Sequence, residues 1–67
     1  MKRTDASEIL KEVLELGGSP NWSVECKRPD SCELQLRPRI LTMETLKHIA
    51  ERHGFGHKED NGKITIF

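Results

Sequence analysis

The chain has 67 residues, which is the size of one small domain. Eleven basic side chains balance eleven acidic ones, which argues against a duplex-DNA binder or a polybasic membrane anchor, because both need an excess of basic residues. No apolar run approaches the roughly 20 residues of a membrane span, and no signal-peptide core follows the basic first residues. We therefore expect a soluble protein of the cytoplasm.

The first predicted element is a helix that begins at Thr4 or Asp5. Asp5 and Glu8 have the spacing of a capping box, in which side chains bind the free backbone groups of the first turn. Residues 17–20 contain two glycines and a proline, which end the helix. Apolar residues recur at helical spacing along one broad face: Ala6, Ile9, Leu10, Val13, Leu14 and Leu16.

Residues 22–28 and 32–37 predict two strands, because each run alternates apolar and polar side chains. Residues 29–31, Pro-Asp-Ser, have the composition of a turn. A three-residue turn sets Cys26 opposite Leu34 and gathers the apolar side chains of the hairpin on one face. Burial of that face favours this register.

Both cysteines of the chain lie in this hairpin. In the predicted register Cys26 and Cys32 are diagonal neighbours, and we expect two reduced thiols, as is usual in a cytoplasmic domain. No CxxC motif or helix N-terminus lies beside them to activate a thiol, so we expect no redox role. Trp22 lies at a strand start, where it could anchor a partner, but it shares a face with Val24, and this position favours a core residue.

A second helix is predicted to follow Thr42, which is a good N-cap residue. Gly54 ends it, and Phe55 either folds back onto the core beside that glycine or pairs with Phe67 on the sheet. The inner stripe of this helix contains Met43, Leu46, Ile49, Ala50 and His53.

Residues 63–67 alternate in polarity and are rich in β-branched side chains, which predicts a strand. The Asn-Gly pair before it favours a tight turn, because both residues tolerate positive φ. A two-residue turn would set Ile64 opposite Glu59, and a three-residue turn would set it opposite Lys58. Neither partner is apolar, so 56–59 is predicted to be an edge strand or irregular.

A faint repeat relates residues 8–18 to 44–54, and a predicted hairpin follows each block. Either one helix-and-hairpin unit is used twice, or two amphipathic helices that end in glycine resemble each other. Together the elements predict an α+β domain in the order α-β-β-α-β(β). Two helices would cover one face of a three- or four-stranded, mainly antiparallel sheet, leaving the other face of this two-layer sandwich open.

Metal, cofactor and catalytic functions find little support in the sequence. Three histidines and two cysteines supply metal-binding side chains, but their spacings match no zinc motif. No nucleophile elbow, paired-carboxylate motif or phosphate-binding glycine loop occurs, and so short a chain has difficulty enclosing a pocket. We therefore expect no enzyme, no cofactor and no small-molecule substrate.

Two binding functions remain. The first is protein–protein contact, because an edge strand and an uncovered sheet face invite a partner strand or a homodimer. The alternative is single-stranded nucleic acid, chiefly RNA, on the open face. The predicted register also sets Lys27 opposite Glu33, as on an ordinary solvated face. The candidate nucleic-acid or partner-binding residues are Lys27, Arg37, Arg39, Lys63 and Phe67.

Overall fold

The computed structural model describes residues 1–67 and contains two helices and four strands. In chain order these are α1 Arg3–Glu15, β1 Asn21–Arg28, β2 Ser31–Arg37, α2 Met43–Arg52, β3 His57–Asp60 and β4 Lys63–Ile66. All neighbouring strands are antiparallel, and their order in the sheet is β1-β2-β4-β3. The predicted α+β architecture is confirmed, with four strands. The unit α-β-β occurs twice, and β1 and β3 form the two edges.

The core lies between the helices and one face of the sheet. Its large, fully buried side chains come from both helices and from the two central strands: Ile9, Val13, Leu34, Leu36, Leu46, Ile64 and Ile66. The predicted apolar face of α1 was too broad, because Leu14 and Leu16 are 51% and 55% exposed. Only the part of α1 that faces the sheet is buried, since a helix packed on one layer has one covered side.

The two helices begin with different hydrogen bonds. In α1 the Lys2 amide donates to Asp5 Oδ2 at 2.9 Å, so Asp5 lies in the first turn. The helix therefore starts before Thr4, and the predicted pairing of Asp5 with Glu8 was wrong. In α2 the prediction is confirmed, because the Thr45 amide donates to Thr42 Oγ1 at 3.2 Å.

The first hairpin differs from its predicted register by two residues. Cys26 lies directly opposite Cys32, and Val24 lies opposite Leu34. The turn is tighter than predicted, and a bulge at Lys27 absorbs the extra residue. A shift of two residues leaves every side chain on its predicted face, which is why the apolar pattern did not distinguish the two registers.

The cysteines form a disulfide, so the prediction of two reduced thiols was wrong for this structure. Direct pairing across β1 and β2 brings Cys26 and Cys32 close enough to bond, with Cα atoms 4.0 Å apart. Cys32 is buried, whereas Cys26 is half-buried.

The second hairpin has a two-residue turn. Asn61 and Gly62 both adopt positive φ, at 50° and 73°, as the sequence predicted for a tight turn. Ile64 lies opposite Glu59, which was one of the two predicted pairings, and β3 is an edge strand. Beyond the ladder, Gly56 and Phe67 exchange two backbone hydrogen bonds of 2.9 Å. Phe55 therefore does not pair with Phe67, and it packs on the core instead.

Candidate interaction surface

Strand β1 is the longer and less protected of the two sheet edges. It has eight residues and one neighbour, β2, so its outer side has no strand partner. Six of its eight side chains are exposed. An edge strand of this length presents a row of free N–H and C=O groups to another chain.

The residues that carry these free groups follow from the spacing of the hairpin. A Cα separation of 4.0 Å between Cys26 and Cys32 indicates a narrow pair, in which backbone groups point away from the partner strand. Consistently, the Cys32 amide donates to the Met1 carbonyl oxygen, at 2.7 Å, on the other side of β2. Because this orientation alternates along an antiparallel strand, Trp22, Val24 and Cys26 direct their N–H and C=O groups outward from the sheet.

Apolar side chains lie beside this edge on the helix-covered face. Trp22 is 53% exposed, which overturns its predicted place in the core. Leu14 of α1 is also about half exposed, while Leu10 and Val24 are half-buried against the core. We call these four residues the edge patch.

The side of α1 nearest to β1 is identified by Arg3. Its guanidinium Nη2 lies 3.8 Å from Cys26 Sγ. Leu10 and Leu14 are seven and eleven residues further along the helix, which places them on the same side as Arg3. The edge patch and Arg3 therefore border the free edge of β1.

The predicted binding residues of the open sheet face fall into two groups. Arg37 and Lys63 lie side by side at one end, where the ladder between β2 and β4 continues from the pair Leu36 and Ile64. Arg37 Nη1 donates to the Asn61 carbonyl oxygen at 3.4 Å. Arg39 is exposed in the segment after β2, which extends this basic end.

Lys27 and Phe67 lie at the opposite end of the open face. Phe67 is four residues beyond Lys63, which is about 13 Å along an extended chain. A pocket there is lined by Glu25, Lys27, Ser31, Glu33 and Phe67. Glu25 lies opposite Glu33, so the predicted pairing of Lys27 with Glu33 was wrong. The ladder between β2 and β4 continues from Leu34 and Ile66 to Glu33 and Phe67, so the two carboxylates lie beside the aromatic ring at this end.

The close approach of Phe67 to Gly56 explains why a glycine precedes β3. A Cβ atom on Gly56 would lie 2.8 Å from Phe67 Cε2, so a side chain there would require the ring to move. The ring therefore covers backbone at the end of the sheet, and it remains 48% exposed. Phe67 thus has a packing role as well as an accessible face.

The other sheet edge, β3, is connected to α2 by two side-chain contacts. Lys47 Nζ lies 2.8 Å from Glu59 Oε1, and His57 Nε2 lies 3.1 Å from Glu51 Oε1. The hydrogen bond to Glu59 raises the pKa of the Lys47 ammonium above its ordinary value of 10.5. These contacts hold the short strand against its helix.

A polar cluster joins the two helices. Glu12 of α1 forms an ion pair with Arg52 of α2, and His53 Nε2 lies 3.1 Å from Glu12 Oε1. No signal in the sequence pointed to this contact, because the partners are about 40 residues apart. The cluster connects the two helices. No group of three or more potential metal-binding His, Cys, Asp or Glu side chains forms in the structure.

The exposure of Trp22 and the free edge of β1 were the features that the sequence did not reveal. Both depend on strand order, which alternation of side chains along a strand does not encode. No helix of the structure has the length and apolar character required to cross a membrane. Comparison of the chain with protein-family models, curated proteins and solved structures gave no match.

Proposed function

We propose that this chain is a small protein-binding module that engages its partner through the β1 edge and the edge patch. The observation that carries this proposal is the coincidence of an unpaired eight-residue strand with a half-exposed tryptophan beside it. A partner strand would gain backbone hydrogen bonds from β1, and the apolar side chains would supply contact area.

The sole tryptophan makes the proposal testable with a simple probe. The chain has no tyrosine, so intrinsic emission reports on Trp22 alone. A synthetic peptide of about nine residues that alternates valine and threonine is a generic partner strand. We expect it to shift the Trp22 emission to shorter wavelength, because binding covers the indole. Amide NMR shifts should concentrate on Trp22, Val24 and Cys26.

A proline substitution provides the matched control. The Val24 amide points outward, so Val24→Pro should block the free edge while leaving the hydrogen bonds between β1 and β2 intact. Ser23→Pro removes an inward amide and should destabilise the hairpin. Peptide binding that survives Val24→Pro, or NMR shifts that avoid β1, would contradict the proposal.

The alternative function is single-stranded nucleic-acid binding on the open face. It is supported by the side-by-side position of Arg37 and Lys63, with Arg39 close along the chain. Phosphate contacts weaken steeply with salt, whereas strand pairing does not. A uridine oligonucleotide should then produce salt-reversible NMR shifts at these residues and at Lys27 and Phe67. Loss of binding in Arg37→Gln, with Lys11→Gln unaffected, would support this alternative; no shifts at low salt would exclude it.

We further propose that the module acts by binding, without catalysis or a cofactor, and that it works in the cytoplasm. The two cysteines provide a direct test of the cytoplasmic location, because the cytoplasm keeps thiols reduced. The structure joins Cys26 and Cys32, and a reducing cytoplasm should open this disulfide, so acid quenching followed by alkylation of protein in its own cells should label both cysteines. A pair that remains closed as a disulfide would contradict the cytoplasmic location and indicate an oxidising compartment.

A further inference from the structure

We infer that the partner of the β1 edge is a second copy of this chain. The two β1 strands would run antiparallel about a two-fold axis at Val24, and the two four-stranded sheets would join into one continuous sheet. This inference rests on the proposed use of the β1 edge and names its partner. Three features of the strand support that geometry.

The first feature is the backbone. Trp22, Val24 and Cys26 carry the outward groups, so any second β1 strand must bond to these three residues. With the axis at Val24, each Val24 pairs with its counterpart, and each Trp22 pairs with Cys26 of the second copy. This arrangement uses every outward group of the three residues and makes about six backbone hydrogen bonds. An axis at Ser23 would leave Cys26 unpaired and would make only about four backbone hydrogen bonds.

The second feature is the charge pattern of the open face. With the axis at Val24, Glu25 lies opposite Ser23 of the second copy, and Lys27 lies near Asn21. An axis at Glu25 would instead set two Glu25 side chains directly opposite each other in a narrow pair, which is destabilising. The sequence of β1 is therefore compatible with pairing to its own copy about an axis at Val24, and it disfavours the neighbouring register about Glu25.

The third feature is on the helix-covered face, where Arg3 and Trp22 complement each other. Trp22 would lie across from Cys26 of the second copy, and Arg3 of that copy is 3.8 Å from the Cys26 sulfur. The guanidinium is thus in position to cover the indole, and symmetry makes this contact twice. Arginine favours such stacking on tryptophan. The contact accounts for a tryptophan that is 53% exposed in the single chain.

The α1 helices fit the same axis. Each α1 packs over β1 and β2, so strand spacing places the two helices about 10 Å apart across the axis. This is the usual separation of packed helices. Leu10 and Leu14, which lie on the β1 side of α1, would then be covered by the same side of the other helix.

The experiment is light scattering coupled to size-exclusion chromatography, with Trp22 emission, from about 1 µM to about 500 µM protein. We expect a dimer at high concentration, and an emission shift to longer wavelength on dilution. Val24→Pro should be monomeric with an unchanged far-ultraviolet circular dichroism spectrum. Arg3→Gln, an exposed change that leaves the fold intact, should raise the dissociation constant about tenfold, since two stacked contacts are lost. Lys58→Gln, an exposed basic position on the opposite edge strand β3, is its control and should have no effect.

The outcomes separate this inference from the proposed function. A monomer at the highest concentration that still binds the valine–threonine peptide would overturn the second copy and leave the β1 module standing. A monomer that binds no peptide would overturn both. A dimer that persists in Val24→Pro, and is equally insensitive to Arg3→Gln, would place the interface elsewhere and overturn the inference.

Discussion

The two edge strands come from units with the same α-β-β order of elements. They differ in how well they are protected against pairing with another chain. Strand β3 has four residues, and two side-chain contacts, one of them the Lys47–Glu59 ion pair, connect it to its helix α2. Strand β1 has eight residues and presents Trp22 beside its free backbone. Short length and charge are the usual ways in which proteins prevent edge-to-edge association.

The contrast supports the proposed binding surface on β1 more firmly than any single residue does. If both edges were long and apolar, exposure of β1 would be an ordinary aggregation hazard. Because β3 is protected and β1 is open, the molecule has one edge on which strand pairing is expected. The bulge at Lys27 disrupts β1 only near its C-terminal end, so the rest of the strand can still pair with another chain.

The largest expected effect comes from disrupting the centre of the sheet, where β2 of the first hairpin pairs with β4 of the second. Leu36 is fully buried in β2 between Trp22 and Ile64. Leu36→Asp places a charge there, and we expect a loss of about 3–5 kcal/mol in the free energy of unfolding, which should unfold so small a domain. Thermal melting followed by circular dichroism measures it. Gln35→Asp, on the open face, is the control, and a native-like melt of Leu36→Asp would refute this packing.

Opening the disulfide should weaken the first hairpin selectively. Cys26 and Cys32 close a short loop, with a sequence separation of six, and loop-closure entropy gives about 2 kcal/mol for a loop of that size. Double substitution to alanine should lower the urea midpoint, and amide exchange should become faster in β1 than in β3. Equal acceleration in both hairpins would show that the hairpins open together. Dithiothreitol should then have no effect on the double variant.

A change at the tight turn should act on the second hairpin alone. Asn61 has φ 50°, a conformation that a β-branched residue resists. Asn61→Val should therefore cost about 1–2 kcal/mol of stability, whereas Asn61→Gly should be nearly neutral. Chemical denaturation compares the two variants. If valine and glycine behaved alike at this position, the turn would not depend on positive φ.

The sequence predicted the elements that local chemistry determines. The Asn61-Gly62 turn, the Thr42 cap and the centre of the α2 stripe all arise from residues close together in the chain, and all are confirmed. Of the five predicted stripe residues, Leu46, Ile49 and Ala50 are buried, and Met43 and His53 are half-buried. The hairpin register was wrong by two residues, because a bulge is invisible to a pattern of period two.

The candidate site was harder to predict than the fold. Whether Trp22 is buried depends on which strand lies at the edge, and two hairpins can be joined in more than one order. Direct pairing of Cys26 with Cys32 likewise required the register. The five predicted residues of the open face are exposed or half-exposed, but the sheet divides them between two ends. The sequence showed which side chains share a face and not how far apart they lie along it.

The smallest expected effect tests the protection of β3. The pKa of Lys47 is raised by its hydrogen bond to Glu59, so the folded state holds this proton more tightly than the unfolded state. The stabilising contribution is therefore complete below pH 10.5 and is lost as the pH rises through the higher pKa of the folded protein. Below pH 10.5, Lys47→Gln should lower the urea midpoint slightly. Above the pKa of Lys47 in the folded protein, the urea midpoints of variant and parent should converge.

Lys58 provides the control, because it lies on β3 without an ion-pair partner. Lys58→Gln should leave the urea midpoint unchanged at both pH values. If the two variants lost equal stability at neutral pH, net charge rather than the contact with Glu59 would account for the loss. If Lys47→Gln also began to self-associate through β3, the short strand would be protected mainly by this ion pair. Unchanged self-association would leave strand length as the main barrier, and β1 would still be the open edge.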